Sequence, residues 1–137
     1  MPSRVAWRVA AAGVIGAAIR WGVATPLDDT WALLIVNVVG CGIVGWATAR
    51  RERIWTRRLT RSSIPSSGSV DDGPSPWLTV GFCGALTSMS ALALQLARHL
   101  DDGRIATAGA WLGLTIAACT VAFVGCRIAV VARWRRS

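Results

Sequence analysis

The chain has no lysine and no tyrosine, a single histidine, and no aspartate or glutamate inside any of its long apolar runs. Each absence excludes something. Without an embedded carboxylate there is no titratable group to couple transport to protons, the usual device of a proton-driven exporter. The sequence offers no carboxylate pair, no serine–histidine set and no cluster at metal-ligand spacing, so it is read as a non-enzyme without a zinc centre. The four cysteines form no C-x-x-C pair, and their places in or near apolar runs suit small packing residues. All fifteen basic residues are arginine, against seven acidic residues, for a net charge of +8. Nucleic acid is not the expected partner, because the arginines crowd at the ends of apolar runs and in one loop rather than along an amphipathic face.

What is present in quantity is apolar. Hydrophobic residues make up 53% of the 137 positions, and the mean hydropathy is +0.48, too high for an ordinary soluble domain of this length. Four runs approach the roughly 20 residues that a spanning helix needs: Val5–Ala24, Trp31–Ala49, Trp77–Ala97 and Ile105–Val131. The fold class expected is therefore all-α, a single four-span membrane domain over 1–137 with the lipid bilayer as its solvent. A signal-peptide reading of the first run fails, since Arg20 interrupts it, no small-x-small cleavage site follows and three more runs come after. The connection over 50–75 is first arginine-rich and then rich in Ser, Pro and Gly, so its later half reads as flexible. The connection from His99 to Arg104, with Asp101-Asp102-Gly103, reads as a tight turn between the last two runs.

Arginines set the orientation. Twelve of them, from Arg4 and Arg8, from the 50–61 stretch and from the C-terminal region, share one face of a four-span topology. Only Arg20, Arg98 and Arg104 are left for the other. Such a bias predicts a multi-pass plasma-membrane protein with both termini in the cytoplasm.

Polar residues within the spans are few. In the second span Asn37 is the one strongly polar side chain, followed by Gly40, Gly42 and Gly45; it is either interhelical glue or an uncharged donor to an anion. The third run carries Gly81-Phe82-Cys83-Gly84-Ala85-Leu86-Thr87-Ser88-Met89-Ser90 near its midpoint. Glycines there permit a break, freed carbonyls suit a cation, and the Ser88 and Ser90 hydroxyls suit an anion. Thr107, Trp111, Thr115 and Cys119 recur every four residues in the last run, a mildly polar stripe on one helix face, although threonine back-bonding accounts for it equally well. Gly13-x-x-Gly16-Ala17 allows close packing, and Arg20 either snorkels to the interface or meets a ligand.

These motifs together resemble the Fluc (CrcB) family of fluoride channels. The likeness runs through Gly13-x-x-Gly16-Ala17-x-x-Arg20-Trp21, Val36-Asn37-Val38-Val39-Gly40 and Gly81 to Leu92, leaving out the second loop. It implies an antiparallel dimer of four-helix subunits with the third helix broken mid-span, conducting fluoride passively out of the cytoplasm. It further implies that the carbonyls of Gly84 and Thr87 hold a structural sodium ion, which is not transported. Asn37 and Ser90 then line the ion path, with Ser88 beside them, and Trp111, Thr115 and Cys119 form a polar track. The chain departs from the family pattern at Met89 and Leu92, where the motif has phenylalanines whose ring edges face the anion. Ala85 and Ala91 replace a glycine and a threonine. The arginine bias adds a further expectation, that the antiparallel partner is a homologous second subunit with the opposite bias. Two other readings are a small multidrug-resistance-like exporter and a structural subunit whose own pore contacts have degenerated.

Overall fold

A computed structural model of the chain describes residues 4–25, 29–61 and 77–135. The described residues are almost all helical, with no strand among them. Helix α1 is Arg4–Ala24 and α2 is Asp29–Arg61; a π-helical segment, Trp77–Cys83, leads into the single turn α3, Gly84–Leu86; α4 is Met89–Asp101 and α5 is Ile105–Arg135. Among the described residues three stretches are long and apolar enough to cross a membrane: Thr30–Glu52, Trp77–Asp101 and Ile105–Trp134. The chain is thus all-α and multi-pass. Helix α1 is not among the three, because Arg8 and Arg20 dilute its hydropathy, though its 21 residues reach about 31 Å at 1.5 Å per residue.

Two helices run past their expected ends. The chain from Trp46 to Ile64 contains neither glycine nor proline, so nothing in it stops a helix. Accordingly α2 continues to Arg61, through the first part of the connection placed at 50–75. The Ser/Pro/Gly-rich part of that connection, 62–75, lies outside the described residues. Helix α4 reaches Asp101, which puts His99 in a helix rather than in the turn. The turn itself closes on Gly103, whose φ of 71° is the left-handed conformation that ends many helices. Its carbonyl partners are satisfied by Gly103 N–H donating to Leu100 O at 2.9 Å and Arg104 N–H to His99 O at 2.8 Å.

Packing rests on backbone approach at glycines. A Cβ on Gly16 would come within 2.5 Å of Phe82 O, and one on Gly81 within 2.5 Å of Val9 O. These two positions therefore seat α1 against the π-helical segment, as small residues do at membrane helix contacts. Gly45 does the same for α2 on α5, where a Cβ would strike the Phe123 backbone. Between them sits a small apolar core of Leu33, Val36, Leu86 and Leu92. At the opposite end of the molecule from the α4–α5 turn, the exposed Glu52 and Arg127 form an ion pair at 2.8 Å that ties α2 to α5, a contact of small value at an exposed site. Arg50 lies over the Trp46 ring, 4.7 Å from its centroid.

Gly45→Ala is expected to lower the stability of the detergent-solubilised protein by about 2 kcal/mol, since no rotamer change can relieve a clash with backbone. Gly22→Ala, with nothing within 4 Å of the added carbon, should leave it unchanged or raise it by up to about 1 kcal/mol. Thermal unfolding of the two variants side by side checks the contrast; equal melting temperatures would remove Gly45 from the α2–α5 contact.

Candidate functional site: the helix interruption and its cavity

Thr87 and Ser88 leave the helical region between α3 and α4, with φ/ψ of −80°/146° and −142°/101°. Ser88 then serves as N-cap of α4, its Oγ accepting from the Ala91 N–H at 3.1 Å, the usual task of serine at that position. The Ser88 backbone N–H donates to Asn37 Oδ1 at 3.0 Å, across from α2. Asn37 is only 4% exposed. In a continuous helix the Ser88 N–H would go to the Gly84 carbonyl, and the Ala91 N–H to that of Thr87. Asn37 and the Ser88 hydroxyl intercept both donors. The carbonyls of Gly84 and Thr87 are the two that lose their helical partners in this way.

The side chains around the interruption are held by short bonds. Thr87 N–H and Oγ1–H both donate to Cys83 O, each at 2.9 Å. The Thr87 methyl lies against Gly40, where a Cβ would have no room. Ser88 Oγ and Ser90 Oγ are 3.2 Å apart, so one donates to the other. With the Asn37 oxygen committed to Ser88, its amide NH2 is the end left as a donor.

From the two serines a cavity of about 1030 Å³ widens toward the end of the molecule where α1 and α4 finish and α2 and α5 begin. Arg20, Ser88, Ser90 and Trp111 all line it; Trp111 is set edge-on to Trp31, with ring centroids 5.1 Å apart. The structure thus gathers four of the residues singled out from sequence around one space, with Asn37 joined to it through Ser88. The others are placed elsewhere. Leu92 is buried in the apolar core beside Leu33 and Val36, and Met89 is 74% exposed; neither lines the cavity. Thr115 is buried, its hydroxyl donating to Trp111 O at 2.8 Å, and Cys119 is half-buried on the same helix.

Sequence reasoning passed over the wide end of this cavity, formed by Gln95, Arg98, His99, Asp102 and Arg104. Their signal was the spacing of Ser88, Gln95, Arg98, His99 and Asp102 on one side of α4, which ending the third span at Ala97 cut in two. Arg104 and Asp102 form an exposed ion pair at 2.6 Å. Arg20 and Arg98 have no carboxylate partner among the described residues, so the described part of the lining is net positive. Among the described residues no group of three His, Cys, Asp or Glu side chains is placed to hold a metal.

Uncharged donors at an interrupted apolar helix, beside a cationic space, define a multi-pass membrane protein with a polar site inside its apolar helices. Comparison with known families agrees with that class. A family model described as CrcB-like protein, Camphor Resistance (CrcB), matches residues 7–127, and the chain belongs to the CrcB family. Its relatives include the fluoride-specific ion channel FluC of Stutzerimonas stutzeri (strain A1501), 33% identical over 117 residues, covering 80% of this chain and 83% of the relative. FluC of Pseudomonas fluorescens (strain SBW25) is 32% identical over 114 residues, covering 79% and 82%. FluC of Aeromonas salmonicida (strain A449) is 33% identical over 118, covering 81% and 83%. The family consists of ion channels, not enzymes.

Asn37→Leu is expected to lower stability by about 2 kcal/mol, because it leaves the Ser88 N–H buried and unpaired. Thermal unfolding in detergent reads this directly. A melting temperature equal to that of the parent would mean that the Asn37–Ser88 bond does not hold the interruption open.

Proposed function

We propose that this chain is a subunit of a fluoride channel that lets fluoride leave the cytoplasm passively, reducing its toxicity. The observation that carries the reading is the pairing of Asn37 with Ser88 at the interruption, in a chain whose relatives are fluoride-specific channels. The proton-coupled exporter has no support in this family, and no carboxylate lies in a span to drive it.

The chemistry follows from the donors. Arg20 and Arg98 raise the local anion concentration at the cavity. The Ser90 hydroxyl and the Asn37 amide replace part of fluoride's hydration shell without carrying charge, so the ion is not trapped. The N-terminal end of α4, at Ser88 to Ser90, adds the positive end of a helix dipole. With no carboxylate at the interruption itself, flux runs down the fluoride gradient.

The same reading has four spans, α1 included, in the plasma membrane with both termini in the cytoplasm. Its working form is an antiparallel dimer. A sodium ion would supply fixed positive charge at the dimer centre; the Gly84 and Thr87 carbonyls, which lose their helical donors to Asn37 and Ser88, and the partner's equivalents suit such a hard monovalent cation. The arginine imbalance favours one insertion direction, so the partner is a homologous second subunit with the opposite bias. Exposure of Met89 and burial of Leu92 fit a division of labour in which the second subunit supplies ring-edge contacts to the ion.

Fluoride efflux from liposomes tests the reading. The chain with a homologous partner is expected to release fluoride, and the chain alone about tenfold less or none. Ser90→Ala should cut the paired flux about tenfold while leaving the melting temperature unchanged, since its hydroxyl supports no backbone group. A reporter at the C-terminus should be cytoplasmic in nearly all copies. Fluoride-tight paired liposomes would sink the channel reading; equal reporter populations on both sides, with full flux from the chain alone, would sink the two-subunit form.

A further inference from the structure

We propose that the groove between the first half of α1 and the π-helical segment, with Arg8 at its mouth, binds one anionic phospholipid of the cytoplasmic leaflet. The site rests on the four-span topology, with α1 crossing the bilayer from the cytoplasmic side, and not on fluoride conduction.

The groove follows from how the two elements meet. They run parallel, since Gly81 abuts Val9 while Gly16 abuts Phe82 and Leu86. Beside those backbone contacts, Ala11 and Ala12 present only methyl groups toward Trp77, Leu78 and Phe82, and a cavity of about 680 Å³ is left between them. Ile15 lines its inner part. Apart from the Trp77 indole, Arg8 is the one polar side chain among the described lining residues. A charged mouth thus leads onto an apolar floor.

That pattern selects an amphiphile with an anionic head. Arg8 is exposed and has no carboxylate partner among the described residues. Arg4, also exposed, stands one turn earlier on the same helix face, so two cations flank the mouth. Trp77, half-exposed beside Arg8 in the lining, is the residue type that settles at the membrane–water boundary. From Arg8 to Ile15 the helix rises about 10 Å, enough to pass from headgroup depth into the acyl chains. A guanidinium matches phosphate oxygens with paired N–H donors, and the alanine floor accepts a hydrocarbon chain. A soluble anion has no use for that floor. A second copy in the same orientation would bring its own Arg4 and Arg8 against this pair, which repels it.

Native mass spectrometry of the detergent-solubilised full chain, with equal amounts of phosphatidylglycerol and phosphatidylcholine of the same acyl chains, tests the site. The parent should keep one phosphatidylglycerol in about fivefold preference, the effect of one arginine near an anionic headgroup. Arg8→Gln should bring the preference close to none. Arg133→Gln removes the same charge from an exposed position on α5 outside the groove and should leave it within about twofold of the parent. Ala11 is exposed, so Ala11→Phe fills the groove from outside and should remove most adducts of both lipids; if that variant aggregates, Ala11→Leu should do so in its place. Equal retention of the two lipids by the parent overturns the site. An equal loss of preference in Arg8→Gln and Arg133→Gln overturns it as well, leaving only a diffuse positive face, as does full retention by the Ala11 variants. Displacement by glycerol phosphate alone would make it a free-phosphate site, and loss of the adduct on assembly with the homologous partner would make the groove a subunit contact; either result overturns the proposal. Fluoride-tight liposomes with the adduct retained keep the lipid site and remove the channel, whereas flux without the adduct does the reverse.

Discussion

The hydrogen bond from the Ser88 N–H to Asn37 Oδ1 is only 3.0 Å long, yet the polar architecture of the chain depends on it. In hydrocarbon every backbone group must find a partner within the protein. The cheapest partner for the Ser88 N–H is the Gly84 carbonyl one turn back, and a helix closed in that way would leave nothing to bind an ion. By supplying a competing acceptor from another helix, Asn37 satisfies the N–H group that the interruption frees. Ser88 then repeats the move one step on, its hydroxyl taking the Ala91 N–H. Two intercepted donors leave the Gly84 and Thr87 carbonyls without their helical N–H partners, beside a hydroxyl pair 3.2 Å apart.

An acceptor offered from α2 is useful only if α2 is close and fixed. That is the work of the glycines. Gly40 leaves room for the Thr87 methyl, Gly45 brings α2 onto the Phe123 backbone, and Gly16 with Gly81 brings α1 onto the π-helical segment. Lipid gives no hydrophobic force between helices, so such backbone contacts carry the packing that burial carries in water. The core of Leu33, Val36, Leu86 and Leu92 then keeps the interruption dry on one side while the cavity wets it on the other.

Asn37 was legible in the sequence because a lone amide in an apolar run has few reasons to be there, and the interruption was legible because hydroxyls and glycines cluster where a plain helix would do. The mechanism of the interruption was not. Glycine flexibility was the expected cause, but among the described residues only Gly103, in the α4–α5 turn, has a positive φ. Gly81 and Gly84 keep ordinary backbone, Gly81 serves packing, and the chain departs from helix at Thr87 and Ser88. Which acceptor takes a freed N–H depends on helix placement, and no local pattern encodes that. The cavity's wide end was missed for a related reason: α4 keeps its helical register past Ala97, so residues that read as a loop in fact continue one face. The roles of Met89 and Leu92 were assigned by motif position, whereas their exposure and burial follow from how α4 rotates after Ser88.

The distribution of unsatisfied polarity separates the faces of the molecule. On α5, Thr115 and Thr120 return their hydroxyls to Trp111 O and Ile116 O, both at 2.8 Å, so these threonines offer lipid or a neighbouring chain no unmet group. The face of that helix turned away from α2 exposes Ile105, Leu114, Ile116, Val121 and Ile128, with space beside Gly109, Gly113 and Gly125. At the far end, Glu52 and Arg127 satisfy each other and Arg50 rests on Trp46. Among the described residues the buried side-chain nitrogens without a partner are those of Gln95 and His99, two residues of the cavity lining. A fold that returns hydroxyls to its own backbone on the outer helix and keeps its unpaired polar atoms on the cavity side separates scaffold from site by hydrogen bonding. No charged side chain needs to be buried in the bilayer to achieve it, which is why a chain so poor in embedded charge can still present a polar path.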